Sequence, residues 1–321
     1  MKKEFNFDWD VSGLANYTDQ SSLDLISKAI LEDPTANYVT IEADVKSAKD
    51  IHTIESALGV TQGSAGFSAS GTTDLDKVSL SVSKMKINEI LDPYSLESKY
   101  TQLALRPGSI LDEVPFEQFI SEEKAKAVAK VVAKQVWLGD VDNGAGNLSL
   151  NDGFIADLAA DATRVVGTGA TAGTSWNSTN IISTVQAMIA DLNVDILAED
   201  DLVMFMSPEY YRTLSNALFA GNYFHFSSDD TVNGEFIFPG TNVRIVRTYG
   251  LQGSGSHNDA VNSNDAVILG SAKYLYWGTD LVSDYSSFRL FYSADNDDVR
   301  FICRYKVGAA HLFGLYFVTN F

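Results

Sequence analysis

Residues 115–138, PFEQFISEEKAKAVAKVVAKQVWL, form a helical pattern that no glycine or second proline interrupts. Pro115 suits a first helical position, where its missing N–H costs nothing, and Gly139 supplies a stop. At about 1.5 Å per residue the predicted helix is roughly 36 Å long, well beyond the usual three turns. Glu117, Glu122 and Glu123 lie early and Lys126, Lys130 and Lys134 late, as the helix dipole favours. Phe116, Phe119, Ile120, Val128, Val131, Val132, Val136 and Trp137 spread over more than one face at 100° per residue. A helix of this kind touches several neighbours at once. It reads as a beam.

The beam needs a large structure around it. The chain has 321 residues, more than one hydrophobic core usually serves, so two subdomains are expected. Its net charge of −19 argues against sequence-specific nucleic-acid binding and against adhesion to anionic membranes. Cys303 is the single cysteine, which leaves no intrachain disulfide or thiolate metal cluster. There is no signal-peptide core and no run of about 18 apolar residues, so a protein made in the cytoplasm without a membrane span is expected.

Residues 1–45 mix aromatic and acidic residues without a sustained period and read as an extended arm, with one short helix over SSLDLISKAIL. Residues 60–92 read as a long hairpin whose return strand is KVSLSVSKMKI. Val78, Leu80 and Val82 alternate with serines, then Met85 and Ile87 follow in the opposite phase, which predicts a bulge near Ser83 or Lys84. One apolar row on a two-stranded ribbon cannot form a core, so a second copy of the chain is expected to cover it. After the beam come a turn-rich stretch, short helices and strands. One helix is expected to be capped by Ser178 or Thr179, and another starts at Ser207–Pro208 and closes at Gly221. From Ala266 onward the pattern is almost all strand. In VRFICRYK, Val299, Phe301, Cys303 and Tyr305 share one face and Arg300, Ile302, Arg304 and Lys306 the other.

No catalytic pattern survives inspection. His52, His225, His257 and His311 lack metal-ligand spacing and read as loop or core residues. DVDNGAGNLSLN starts like a calcium loop at Asp140 and Asp142 but fails at Gly144 and Ala145, and Asn151 stands where Glu is needed. Ser81 to Lys84 and Ser121 to Lys124 match a Ser-x-x-Lys spacing without its companion motifs. GTGATAG has the wrong glycine spacing for a dinucleotide loop, and Cys303 reads as a small core residue. No cofactor, metal or catalytic residue is assigned.

The order of arm, hairpin, beam, mixed segment and terminal strands resembles the major capsid protein of tailed bacteriophages. EVPFEQFISEEKAKAVAKVVAKQVWLGD looks like that family's spine helix, including the Trp-x-Gly-Asp ending. DLVMFMSPEYYRTLSNALFAGN looks like the strand–Pro–helix of its axial domain, GTNVRIVRTYG like the next strand, and DVRFICRYKVGAAHLFGLYFV like its closing strands. The resemblance implies an α+β fold. Its parts would be an N-terminal arm (1–45), an extended hairpin or E-loop (46–96), a peripheral domain (97–174) holding the spine helix 115–138, an axial domain (175–262) and return strands (263–321).

It also implies a non-enzymatic subunit that assembles with many copies of itself, as hexamers and pentamers of an icosahedral shell around double-stranded DNA. Portal, scaffolding and decoration proteins would be further partners, and the location would be the virion. Expected contacts between subunits are Phe5, Phe7, Trp9, Tyr17, Phe67, Val78, Leu80 and Val82. Lys126, Lys130, Lys134, Arg300, Arg304 and Lys306 are expected to face the genome or a neighbour. Two other readings stay open: an encapsulin-like shell loaded with cargo, and a phage tail or surface protein binding carbohydrate, suggested by 14 Tyr and 4 Trp.

Overall fold

The computed structural model describes residues 34–43, 45–60, 63, 66, 70–91, 116–142, 144–168, 176–197, 201–221, 235–253, 265–280, 288–293 and 298–321. The beam is present as α1, Phe116–Leu138. It ends where expected. The Gly139 N–H donates to the Gln135 carbonyl at 3.1 Å, and a β-carbon there would stand 2.5 Å from the Asn151 carbonyl oxygen. Only glycine fits so close a pass.

Two sheets lie against α1. The first joins β1 (Thr40–Glu42), β10 (Leu275–Gly278), β12 (Asp298–His311) and β11 (Phe288–Ser293) in that order, with β4 (Ser83–Leu91) also paired to β12. On β12, Val299, Phe301, Cys303 and Tyr305 are buried, so the alternation read from the sequence holds as far as Tyr305; Lys306 and Val307 after it are both buried. Burial pushes the Cys303 thiol up to about 12, which leaves it an inert core group.

The second sheet is mixed. Its order is β5 (Val165–Val166), β13 (Phe317–Thr319), β9 (Ile268–Ser271), β6 (Leu202–Met206), β8 (Arg244–Arg247) and β7 (Glu235–Ile237). Every residue of β6 is buried, as its unbroken apolar run requires of a central strand. The helices α3 (Ile181–Ala190) and α4 (Pro208–Ala220) pack on this sheet in one apolar cluster with Met204, Ile245 and Leu269. α2 (Phe154–Ala160) belongs instead to the cluster around α1 and the first sheet.

Ser207 caps α4 as expected, accepting from the Tyr210 N–H at 3.3 Å. The cap of α3 differs. Asn177 Oδ1 accepts from the Thr179 and Asn180 N–H groups at 2.9 and 3.2 Å, so an Asx turn one residue before Ser178 starts the helix.

The hairpin starts earlier than the 60–92 read from the residue pattern. β2 (Ala48–Ala57) pairs antiparallel with β3 (Thr72–Ser81), from Ala48↔Ser81 to Ala57↔Thr72. Most of β2 is exposed, and a strand open on both faces shows no apolar alternation to read. There is no bulge at Ser83. At Val82 the chain leaves β2 and, as β4, pairs with β12 from Ser83↔Val307 to Leu91↔Val299. The change of apolar phase marks a change of partner.

Candidate assembly surfaces

The final turns of α1 are a junction. Val128, Val132 and Val136 form a buried stripe at four-residue spacing, and Ala133, Gln135, Trp137 and Leu138 widen it until the last turn is enclosed. The Trp137 ring lies 5.1 Å from Phe154 of α2 and 5.0 Å from Phe205 of β6. Its Nε1 donates to Thr35 Oγ1 at 3.0 Å, and that oxygen lies 3.1 Å from Thr248 Oγ1. Gln135 accepts from the Tyr305 hydroxyl at 2.7 Å and donates to the Asn147 carbonyl at 2.9 Å. One end of one helix thus fixes both sheets and the segment leading from residue 34.

The basic residues divide. Lys126 is exposed and pairs with Glu123 at 3.0 Å; Lys134 lies over the Tyr249 ring at 5.5 Å; Lys130 is exposed. On β12, Arg300 pairs with Asp298 at 3.0 Å and Arg304 is exposed. Lys306 corrects the expectation. It is 8% exposed and ion-paired with buried Asp280 just past β10, so it faces the interior of its own chain rather than a genome or neighbour.

The ribbon row also needs correction. Leu80 is fully buried, packed with Val45 and Ala310 and flanked by half-buried Ile51, Val78, Val82 and Tyr276. The covering surface comes from the chain's own β10 and β12. Two glycines make it flat: Gly278 and Gly308 are register partners there. A β-carbon on Gly278 would stand 2.7 Å from Val82 Cγ1, and one on Gly308 would overlap the Ser81 carbonyl oxygen. Farther out, β2 and β3 pair only with each other among the described residues, and Ile54 and Leu75, register partners, are 65% and 75% exposed. Leu58 and Val60, beyond the strand end, are 83% and 98% exposed. Sequence reading missed these four because Ile54 and Leu75 stand singly between polar residues, and Leu58 and Val60 sit in a short Ala-Leu-Gly-Val run with no longer period. Phe5, Phe7, Trp9, Tyr17 and Phe67 lie outside the described residues.

A polar latch joins α2 to the end of β12. His311 Nδ1 lies 2.6 Å from Asp157 Oδ2, and Nε2 lies 2.9 Å from Asp161 Oδ2. Burial alone would lower the His311 pKa, but the hydrogen bonds and charges of Asp157 and Asp161 outweigh it and hold the pKa above its ordinary value. Burial would raise the Asp161 pKa, yet His311 and Thr163 hold it below the usual value. Among the described residues no group of three or more His, Cys, Asp or Glu is arranged to hold a metal ion, and no helix is long and apolar enough to cross a membrane.

No protein-family model and no curated protein sequence matches the chain. Solved structures do share its architecture. The satellite phage P4 procapsid matches with TM-score 0.59 at 11% identity, over 93% of this chain and 89% of that one. The capsid of an empty GTA particle matches with TM-score 0.56 at 12% identity, over 88% and 87%. The capsid of Myoviridae phage XM1 gives 0.54 at 12%, over 88% of each chain. The α+β architecture is the phage capsid fold. In its terms α1 is the spine helix and the β2–β3 ribbon the extended hairpin.

Proposed function

We propose that this chain is the major capsid protein of a tailed phage, a structural rather than catalytic subunit. Copies form hexamers and pentamers of an icosahedral shell around double-stranded DNA, with portal and scaffolding proteins as further partners and the virion as its location. One observation carries the reading: on a phage capsid fold, the outer half of a two-stranded ribbon exposes Ile54, Leu75, Leu58 and Val60, and no further strand of the described residues pairs with it. Isolated ribbons are marginal, and contact with another chain would both brace this one and bury these groups. The −19 charge agrees with containment of DNA rather than tight binding.

The test is direct. Purified protein, in enough salt to screen its self-repulsion, is expected to form closed hollow particles by negative-stain microscopy. A chain that stays monomeric across salt and pH overturns the reading. Nuclease-protected DNA in particles from infected cells tests the genome, and a protected cargo protein instead of DNA favours the encapsulin-like alternative.

A further inference from the structure

The second sheet carries opposite charge at the two ends of one parallel strand pair. Arg247, the last residue of β8, is the register partner of Met206 at the end of β6. At this end Arg212 of α4 and Arg247 line an open cleft of about 500 Å³ with Ser215, Asn216 and Gln252. Both arginines are exposed, and neither has a carboxylate partner among the described residues; Arg247 lies over the Tyr211 ring at 5.8 Å. Glu209 stands on the same cleft, so two guanidiniums face one carboxylate and the site is net positive. The chain has 42 acidic residues to 23 basic ones, so a cleft whose described lining has two guanidiniums to one carboxylate stands out against its surroundings.

The other end is acidic. The Asn242 side chain, just before β8, donates to the Leu197 carbonyl at 3.5 Å, which places the loop leading from α3 at the start of the strand pair. Asp195 and Asp201 are exposed there, beside Val194 at 78% and Leu197 at 40% exposure. Arg244 lies at this end too, but Glu235 faces it at 3.7 Å. At about 3.3 Å per residue, β6 holds the two ends roughly 13 Å apart on one rigid element.

A body positive at one end and negative at the other complements a second copy either as a two-fold pair or head to tail, and the many-copy shell proposed above calls for the head-to-tail contact. Such a heterologous contact repeats from copy to copy and closes into a ring when the rotation allows. We infer that the Arg212–Arg247 cleft receives the Asp195 loop of a neighbouring copy, carboxylates against guanidiniums, with Val194 and Leu197 covered by the same contact. Arginine suits this role because its planar fork binds carboxylates in a fixed orientation, which sets register as well as attraction. The inference rests on the proposed assembly of many copies and names one of its contacts.

Two measurements test it. In the first, Asp195→Cys protein is mixed with Arg212→Cys protein under mild oxidation. A disulfide-linked pair is expected from the mixture, and neither variant alone, nor Arg212→Cys mixed with Lys77→Cys, should give one. In the second, Arg212→Glu/Arg247→Glu is expected to lower particle yield at least tenfold at low salt, and adding Asp195→Lys/Asp201→Lys to the same chain should restore it. No crosslink, together with normal shells from the arginine double variant, overturns the inference and leaves the shell reading intact. A specific crosslink in protein that never forms shells supports the contact and overturns the shell reading. Neither crosslink nor shells overturns both.

Discussion

Gly278 and Gly308 face each other as register partners on β10 and β12, and the chain crosses over them at Leu80–Val82. Neither position has room for a methyl group. Gly308→Ala would push against the Ser81 backbone, which cannot rotate away as a side chain could. The expected cost is about 1–3 kcal/mol or more, read as a lower unfolding midpoint in denaturant with unchanged slope. An unchanged midpoint would show that the crossing is looser than described.

The beam gives a sharper contrast. Val132 is 1% exposed in the α1 stripe, whereas Lys130 two residues earlier is exposed. Val132→Asp buries an unpaired carboxylate and should cost several kcal/mol, giving insoluble or unassembled protein. Lys130→Ala should stay within about 0.5 kcal/mol of the parent. Similar behaviour of the two variants would mean that the buried face of the helix is wrongly placed.

Lys306 and Asp280 make a third test. Lys306→Met takes a cation away from buried Asp280 and should destabilise the chain by about 3 kcal/mol in chemical denaturation. A surface lysine would show almost nothing.

The latch at His311 predicts a pH dependence with a definite sign. Because the folded pKa of His311 is raised, its contribution is fully present below the unfolded value of about 6.5 and is lost as pH rises through the folded one. Asp161 works the other way: its folded pKa is lowered, so its contribution is present above the unfolded value and is lost as pH falls through the folded one. Stability from the latch should therefore be greatest between the two titrations. Melting temperature measured against pH should fall on the alkaline side in the parent and be flatter in His311→Gln; parallel curves would remove the latch from the account.

For the ribbon, the register supplies a clean truncation. Thr53 and Asp76 are partners, so joining them through Asn-Gly removes Ile54, Leu75 and everything between while leaving Leu80 seated. The shortened chain is expected to fold and remain soluble but to form no shells. Normal particles by microscopy would show that the ribbon is dispensable.

What could be read from sequence was what depends on near neighbours. The spine helix was legible because nothing interrupts residues 115–138, and β12 because alternating burial leaves a period of two. The Ser207–Pro208 start was legible because its cap lies within one turn. The partner of Leu80 was not, since Ala310 lies some 230 residues away and the decisive feature is a pair of absent side chains at Gly278 and Gly308. Lys306 misled for the same reason: Asp280 meets it only through the β10–β12 pairing. Of the candidate contacts on the ribbon, Val78, Leu80 and Val82 lie at its seated base, whereas the exposed apolar groups Ile54, Leu75, Leu58 and Val60 lie farther out.

The handover at Val82 also decides how the molecule carries tension. A pull along the ribbon passes from β3 straight into β4, whose hydrogen bonds to β12 run from Ser83↔Val307 to Leu91↔Val299. Bonds lying across the line of pull are strained together, in shear, and must slip as a set rather than open one after another like a zipper. The strain is then passed through Tyr305 and Gln135 to the stiff end of α1. Traction on the exposed ribbon thereby reaches the enclosed end of the spine helix.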